Sequence, residues 1–257
     1  MSNSPLLQAK GIRRRFGHVQ ALDGADFTVH AGEICALIGD NGAGKSTLVK
    51  ILSGSDQPNE GEILLDGQRV TFSSPTAAQA QGIATVYQDL ALAPELPPSE
   101  NLFLGREILR PGLLGRLGFV DRAAMRREAA LQFARLGVRL RSAKIPVAAL
   151  SGGQKQSVAI ARAARWASKV VFLDEPTAAL GVVQTQRVLD LIRQVRDQGL
   201  GVVLISHNMS HVLEVADRVE VLRLGRRVAQ MSARDATVER LVAAMTGGVS
   251  QPEPAHG

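Results

Sequence analysis

The sequence predicts an α/β fold with a mostly parallel sheet core, an antiparallel β-subdomain and an inserted α-helical subdomain. Three observations carry this. Uninterrupted apolar runs such as "EICALIG" (33–39), "GIATVYQ" (82–88), "KVVFLDE" (169–175) and "GVVLISH" (201–207) have the length and composition of strands buried on both faces. Helical spacing returns between the later runs, as a parallel sheet with crossover helices requires. From about 91 to 165 the strand signal gives way to helical spacing with a basic excess, ten Lys/Arg against three Asp/Glu over 104–144.

Element by element, residues 6–30 alternate β-like runs with turns at "FGH" and "LDGAD". "EICALIG" is a buried strand that runs into a Gly-rich turn and a helix from about Lys45 to Ser53. "EILLDGQRV" (62–70) reads as two strands about an Asp66-Gly67 turn. After the basic helical stretch, "KVVFLDE" is a strand, about 184–198 a helix and "GVVLISH" a strand. "MSHVLEVAD" is then a helix, "RVEVLRLG" a strand and 237–245 the last helix. Residues 6–245 are expected to form one domain, the helical part being 91–165 and the remainder 6–90 and 166–245. The tail 246–257, with two prolines, is expected to be flexible.

A chain of 257 residues, 45% of them hydrophobic, supports a full core. A net charge of +6 points to an anionic partner without choosing among nucleotide, nucleic acid and membrane surface. The one cysteine, Cys35, lies in an apolar run, so a disulfide framework is excluded and a buried thiol is expected. No 18-residue apolar run and no signal core are present, and a cytoplasmic location is expected, with any membrane docking through a partner.

"GDNGAGKST" (Gly39, Asp40, Asn41, Gly42, Ala43, Gly44, Lys45, Ser46, Thr47) fits G-x-x-x-x-G-K-[ST] between a strand and a helix. Gly42 and Gly44 let backbone approach phosphate oxygens, and the N–H groups form an anion nest at a helix start. Lys45 supplies a point charge and Ser46 a hydroxyl for Mg²⁺. Asp174 and Glu175 close a buried strand at the sheet edge where ligands bind. There an Asp can hold the Mg²⁺ shell and its neighbour can reach an attacking water. Alone, "DEPT" reads equally as a helix N-cap with Pro176 at the first position; the phosphate loop tips the balance. "LSGGQ" (150–154) contains an S-x-x-Q capping box, yet its glycines also expose helix-start N–H groups to a phosphate that need not belong to the same chain.

In this order, phosphate loop, Gln88 in "VYQDL", LSGGQ, hydrophobic-Asp-Glu and His207 in "LISHNM", the motifs resemble those of the ATP-binding cassette (ABC) ATPases over about residues 6–245. The resemblance implies a P-loop NTPase (RecA-like) core and ATP hydrolysis with Mg²⁺. Phe16 would stack on adenine, and Gln88 would sense Mg²⁺ and the γ-phosphate. Asp174 would organise Mg²⁺, with Ser46 and Gln88 also beside the metal. Glu175 would be the general base and His207 the switch histidine. Ser151, Gly152, Gly153 and Gln154 would contact ATP held by a second copy stacked head to tail. His18, His30, His211 and His256 match no motif and are expected to be structural or superficial.

The stretches "FGHVQALDGADFTVHAGEICALIGDNGAGKSTLVK", "VYQDLALAPELPPSENLFLGRE" and "DEPTAALG" resemble the monosaccharide-import group, fructose or ribose type, in a single-cassette version. The partners implied are integral membrane permease subunits and, indirectly, a periplasmic sugar-binding protein, at the cytoplasmic face of the plasma membrane. An importer of amino acids or another small solute is the alternative. A nucleic-acid ATPase fits less well: no long coiled coil interrupts the chain, and the basic lobe lacks interleaved aromatics, so no nucleic acid is expected. Most members read Ala-Leu-Asp where this chain reads Ala179-Leu180-Gly181. The sugar-import members often depart here too, so the resemblance implies intact hydrolysis, and the absent carboxylate looser communication between the two ATP sites.

Overall fold

The computed structural model describes residues 4–140 and 144–248. The chain runs β1 (Leu7–Phe16), β2 (Val19–Val29), β3 (Ile34–Ile38), α1 (Lys45–Leu52), β4 (Glu60–Leu65), β5 (Gln68–Val70), α2 (Pro75–Ala80) and β6 (Ile83–Val86). It continues with α3 (Pro98–Leu102), α4 (Leu113–Arg116), α5 (Arg122–Arg135), α6 (Gly152–Trp166), β7 (Val170–Asp174) and α7 (Val182–Asp197). The last elements are β8 (Gly201–Ile205), α8 (Met209–Val215), β9 (Arg218–Arg223), β10 (Arg226–Ser232) and α9 (Val238–Thr246).

Two sheets result, one antiparallel in the order β2-β1-β4-β5 and one of six strands in the order β10-β9-β3-β8-β7-β6. In the second, β9, β3, β8, β7 and β6 pair in parallel and only the edge strand β10 is antiparallel. Strands β3 and β8 are buried at every position, which is why they read as unbroken apolar runs. The predicted α/β class and parallel core are therefore present.

Local readings needed correction. The "LDGAD" turn does not exist: these residues lie inside β2, where Gly24 at φ +80° accommodates an irregularity in the pairing with β1. Strand β10 and helix α2 were not foreseen. The exposure of β10 is mixed and its sequence "RRVAQMS" polar, and α2 is only six residues long. Ser74 caps α2 by accepting from Ala77 N–H at 3.1 Å, with Pro75 at the first position. The region read as helical over 91–165 consists of α3–α6 joined by irregular segments, including a bridge between Leu109 and Val120. Helix α9 reaches Thr246, the first residue of the expected tail; residues 249–257, His256 among them, lie outside the described residues.

The two sheets are joined by a buried polar cluster. Arg218 on β9 donates to Glu33 at 2.6 Å, to Glu220 and to the Thr28 carbonyl at 2.7 Å, and Thr28 Oγ1 donates to Glu220 at 2.9 Å. Cys35 is fully buried, and burial pushes its thiol up.

Candidate active site

The strand order decides what meets what. The loops following β3, β8, β7 and β6 all leave the carboxyl ends of four consecutive parallel strands. They carry, in that order, the Gly39–Thr47 loop, His207, the Asp174–Glu175 pair and Gln88. Segments separated by more than 100 residues in sequence are thereby set side by side at one sheet edge.

The glycine loop connects β3 to α1. Gly44 sits at φ +101°, and a Cβ there would lie 2.7 Å from the Ala21 carbonyl oxygen and 2.7 Å from Leu22. Only glycine lets the loop press against β2 in this way. Gly42, at φ +82°, faces open space, a cradle into which a ligand's oxygens can approach. Helix α1 starts with neither a side-chain cap nor an acid in its first turn, so its orphan N–H groups suit an anion. Lys45 Nζ spans the loop, donating to the Gly39 and Asp40 carbonyls at 2.7 and 3.0 Å. Burial draws the Lys45 pKa down, against the opposing pull of Glu175, Asp40 and Asp174. Ser46 is exposed, and Asn41 lies with Asp40 on the open rim.

Asp174 ends β7, and its carboxyl is held above the usual range by burial and by the neighbouring Glu175, with Lys45 opposing. The chain then turns sharply. Glu175 adopts φ +50° and Ala179 φ +57°, and Glu175 N–H donates to the Ile205 carbonyl at 2.9 Å. Helix α7 starts only at Val182, so "DEPT" is a turn and not a helix N-cap. Glu175 Oε1 accepts from His207 N–H at 3.0 Å and lies 2.9 Å from His207 Nδ1. The Glu175 side chain is largely buried and that of His207 is 76% exposed, so the carboxylate is fixed from one side while the ring faces the open edge. A carboxylate so anchored can accept a proton from a water at that edge.

Gln88 lies just beyond β6 and is exposed; the preceding Tyr87 hydroxyl bonds Ser53 at 3.1 Å and Ser55 at 2.8 Å, fixing the exit from β6. Phe16 ends β1 and is 48% exposed, which removes it from the β-subdomain core. Its ring carries the Arg14 guanidinium 4.6 Å from the centroid and leaves a face for a planar partner.

Ser151 and Gln154 do form a capping box, Ser151 Oγ accepting from Gln154 N–H at 3.4 Å and Gln154 Oε1 from Ser151 N–H at 3.1 Å. Gly152 and Gly153 lie against Leu180 and Gln184 respectively. Among the described residues no hydrogen bond or ion pair joins this segment to residues 39–47. Ser151, Gly153 and Gln154 instead face a cavity of about 450 Å³ whose wall includes Arg135, Arg139 and Arg187. His211, passed over in the sequence, shares a hydrogen bond of 3.0 Å between its Nδ1 and Thr177 Oγ1.

The residues fit a nucleotide with Mg²⁺. Among the described residues no cluster of three or more His, Cys, Asp or Glu could hold a metal ion. The donor set at this edge is one carboxylate, one hydroxyl and one amide, suited to a cation that keeps phosphate oxygens and water as its other ligands. Two adjacent acids, one of them resisting ionisation, are the environment a divalent cation relieves.

Comparisons with known proteins show the family. The family model described as ABC transporter matches residues 22–178. The fructose import ATP-binding protein of Rhizobium meliloti is 52% identical over 99% of each chain. The xylose/arabinose import ATP-binding protein of Sulfolobus acidocaldarius is 42% identical over 95% of this chain and 94% of its own. A ribose import ATP-binding protein of Burkholderia cenocepacia is 44% identical over 96% of this chain but 47% of its own, so the chain spans about half of that relative. A nucleotide-free ATP-binding cassette from an ABC transporter superposes with a TM-score of 0.79 at 24% identity, covering 95% of this chain and 96% of that one. A dimeric cassette bound to ADP and Pi does so with 0.71 at 25% identity, covering 90% and 100%.

Proposed function

Because this chain belongs to the ABC transporter family, we propose that it is the ATP-hydrolysing subunit of a monosaccharide importer and that its machinery is the sheet edge just described. The observation that carries the reading is the anchoring of Glu175 by His207 beside the glycine loop. A full-length relationship to a fructose import subunit supports the sugar class.

The Gly39–Thr47 backbone and Lys45 grip the outer phosphates, and Phe16 receives the adenine on its exposed face. Ser46, Asp174 and Gln88 would hold Mg²⁺, which when bound would supply charge neutralisation on the phosphate oxygens. Glu175 orients and deprotonates the attacking water, and His207 steadies both Glu175 and the transferred group. Ser151, Gly152, Gly153 and Gln154 serve the ATP of a second copy. The absence, among the described residues, of any hydrogen bond or ion pair from this segment to residues 39–47 and the arginines around the neighbouring cavity support that assignment. Residues 91–165 are assigned as the lobe that transmits the cycle to permease subunits, with a periplasmic binding protein choosing the sugar. Among the described residues no helix is long and apolar enough to cross a membrane, so attachment at the cytoplasmic face is assigned to the permease.

The test is twofold. Purified chain should release phosphate from ATP only with Mg²⁺. Cells lacking it should lose uptake of one labelled monosaccharide, fructose being tried first, and regain it on complementation. Uptake defective for an amino acid and normal for every sugar would overturn the substrate class.

A further inference from the structure

We propose that His211 is a positioning residue for Glu175, the second half of a clamp whose first half is His207; the inference rests on the reading of Glu175 as the base. His207 and His211 stand four residues apart, the first just before the N-cap Asn208 of α8 and the second within its first turn. Glu175 and Thr177 stand two apart in the turn after β7. His207 holds the Glu175 carboxylate through its N–H and its ring, and His211 Nδ1 holds Thr177 Oγ1 at 3.0 Å. One short segment thus grips the other at two points.

The turn needs such a grip. Glu175 and Ala179 both occupy the left-handed region, which disfavours side-chain-bearing residues and persists only where the surroundings enforce it. Thr177 lies midway between them and is buried, so its hydroxyl depends on a protein partner. Asn208 anchors the other side: its Oδ1 accepts from His211 N–H at 3.1 Å, fixing the first turn of α8, and its own N–H donates to Ser206 Oγ at 3.1 Å. Without the His211 bond the turn loses its side-chain tie to α8 at Thr177, and the carboxylate loses its defined position. ATP binding, which rests on the glycine loop and Lys45, is untouched. Misplacement of about 1 Å at a reacting group costs up to about a hundredfold in rate.

The experiment measures steady-state phosphate release by the full chain with Mg-ATP, for the unaltered protein and for His211→Ala, His211→Asn, Thr177→Val and the Thr177→Val/His211→Ala pair. His211→Ala is expected to lower kcat about tenfold with KM for ATP changed less than about twofold. His211→Asn, whose amide reaches the place of Nδ1, is expected to recover most of the rate. Thr177→Val should match His211→Ala, and the double variant should be no slower than either. If His211→Ala does not fold, the Thr177→Val and His211→Asn rates decide the matter by the same criteria. An unchanged kcat, a loss confined to KM, no rescue by Asn, or losses that multiply in the double variant would each overturn the clamp. Absence of hydrolysis by the unaltered chain would overturn the reading of the site, and the clamp with it; normal hydrolysis with a normal His211→Ala rate overturns the clamp alone.

Discussion

Gly181→Asp tests both the local structure and the link between ATP sites. Gly181 is the N-cap of α7, at φ −72° and ψ 161°, a conformation open to any residue, and a Cβ there meets nothing within 4 Å. Half of a capping box is already in place, because Gln184 Oε1 accepts from Gly181 N–H at 3.3 Å. The missing half is a side-chain acceptor for the N–H groups one turn on, and the first turn of α7 contains no acid. An Asp in place of Gly at an N-cap is worth a few tenths of a kcal/mol, and its charge at the helix start adds about 0.3–1 kcal/mol. A sum of about 0.5–1 kcal/mol corresponds to a rise of about 1–4 °C in Tm for a domain of this size. Calorimetry on the isolated chain reads it, with Gly181→Asn as the uncharged cap giving the smaller rise. If both variants melt at or below the unaltered protein, the cap argument fails. In the assembled transporter the same carboxylate is expected to steepen the ATP dependence by restoring a contact across the dimer; an unchanged Hill slope rejects that part while leaving the cap intact.

Glu175→Gln should lower turnover by about 10²–10⁴, the range for a positioned base, while light scattering detects a dimer trapped with ATP; turnover near that of the unaltered chain removes Glu175 as the base. Lys45→Ala should weaken ATP binding by about 10–150-fold, the equivalent of a charged hydrogen bond, read by calorimetric titration, with Tm little changed. Gly44→Ala should destabilise the fold as well as abolish ATP binding, because its Cβ meets the Ala21 carbonyl; a normal Tm refutes the close approach. Asp174→Asn should raise Tm at pH 7 without nucleotide, since burial and Glu175 lift the native pKa and the ionised carboxylate therefore subtracts stability. That gain should shrink as pH falls through the raised pKa, where the native carboxyl is protonated, and hydrolysis should be lost throughout.

The parts of the site legible in sequence are those whose chemistry is local. The glycine loop is a contiguous nine-residue device, and the Asp174–Glu175 pair announces itself by following four apolar residues. What lies across strands was not legible. The parallel pairing of β8 with β7 sets His207 beside Glu175, and no periodicity in the chain encodes that pairing. His211 went unrecognised for the same reason: its partner Thr177 is 34 residues away on another strand's exit loop. Strand β10 hid because an edge strand half open to water carries no apolar run, and the "LDGAD" stretch misled because a glycine that signals a turn serves equally well for a bulge. The capping box of "LSGGQ" shows a further limit. The capping-box reading of Ser151 and Gln154 holds, and of the two glycines beside them Gly152 is exposed while Gly153 is buried against Gln184.

The site's economy lies in the turn between β7 and α7. A relaxed chain would carry the strand's last carboxylate straight into a helix, as "DEPT" alone suggests. Here two side-chain-bearing residues are held left-handed instead, at about 1–3 kcal/mol each. The gain is that Glu175 folds back onto β8's exit loop while Leu180 and Gly181 are carried out toward the "LSGGQ" helix, where Leu180 meets Gly152. One seven-residue connection, 175–181, therefore touches both the base and the segment assigned to the partner's ATP. Between its two ends lies Thr177, buried and tied to α8 through His211. The two left-handed residues persist only where such ties enforce them, so the turn has few relaxed alternatives open to it.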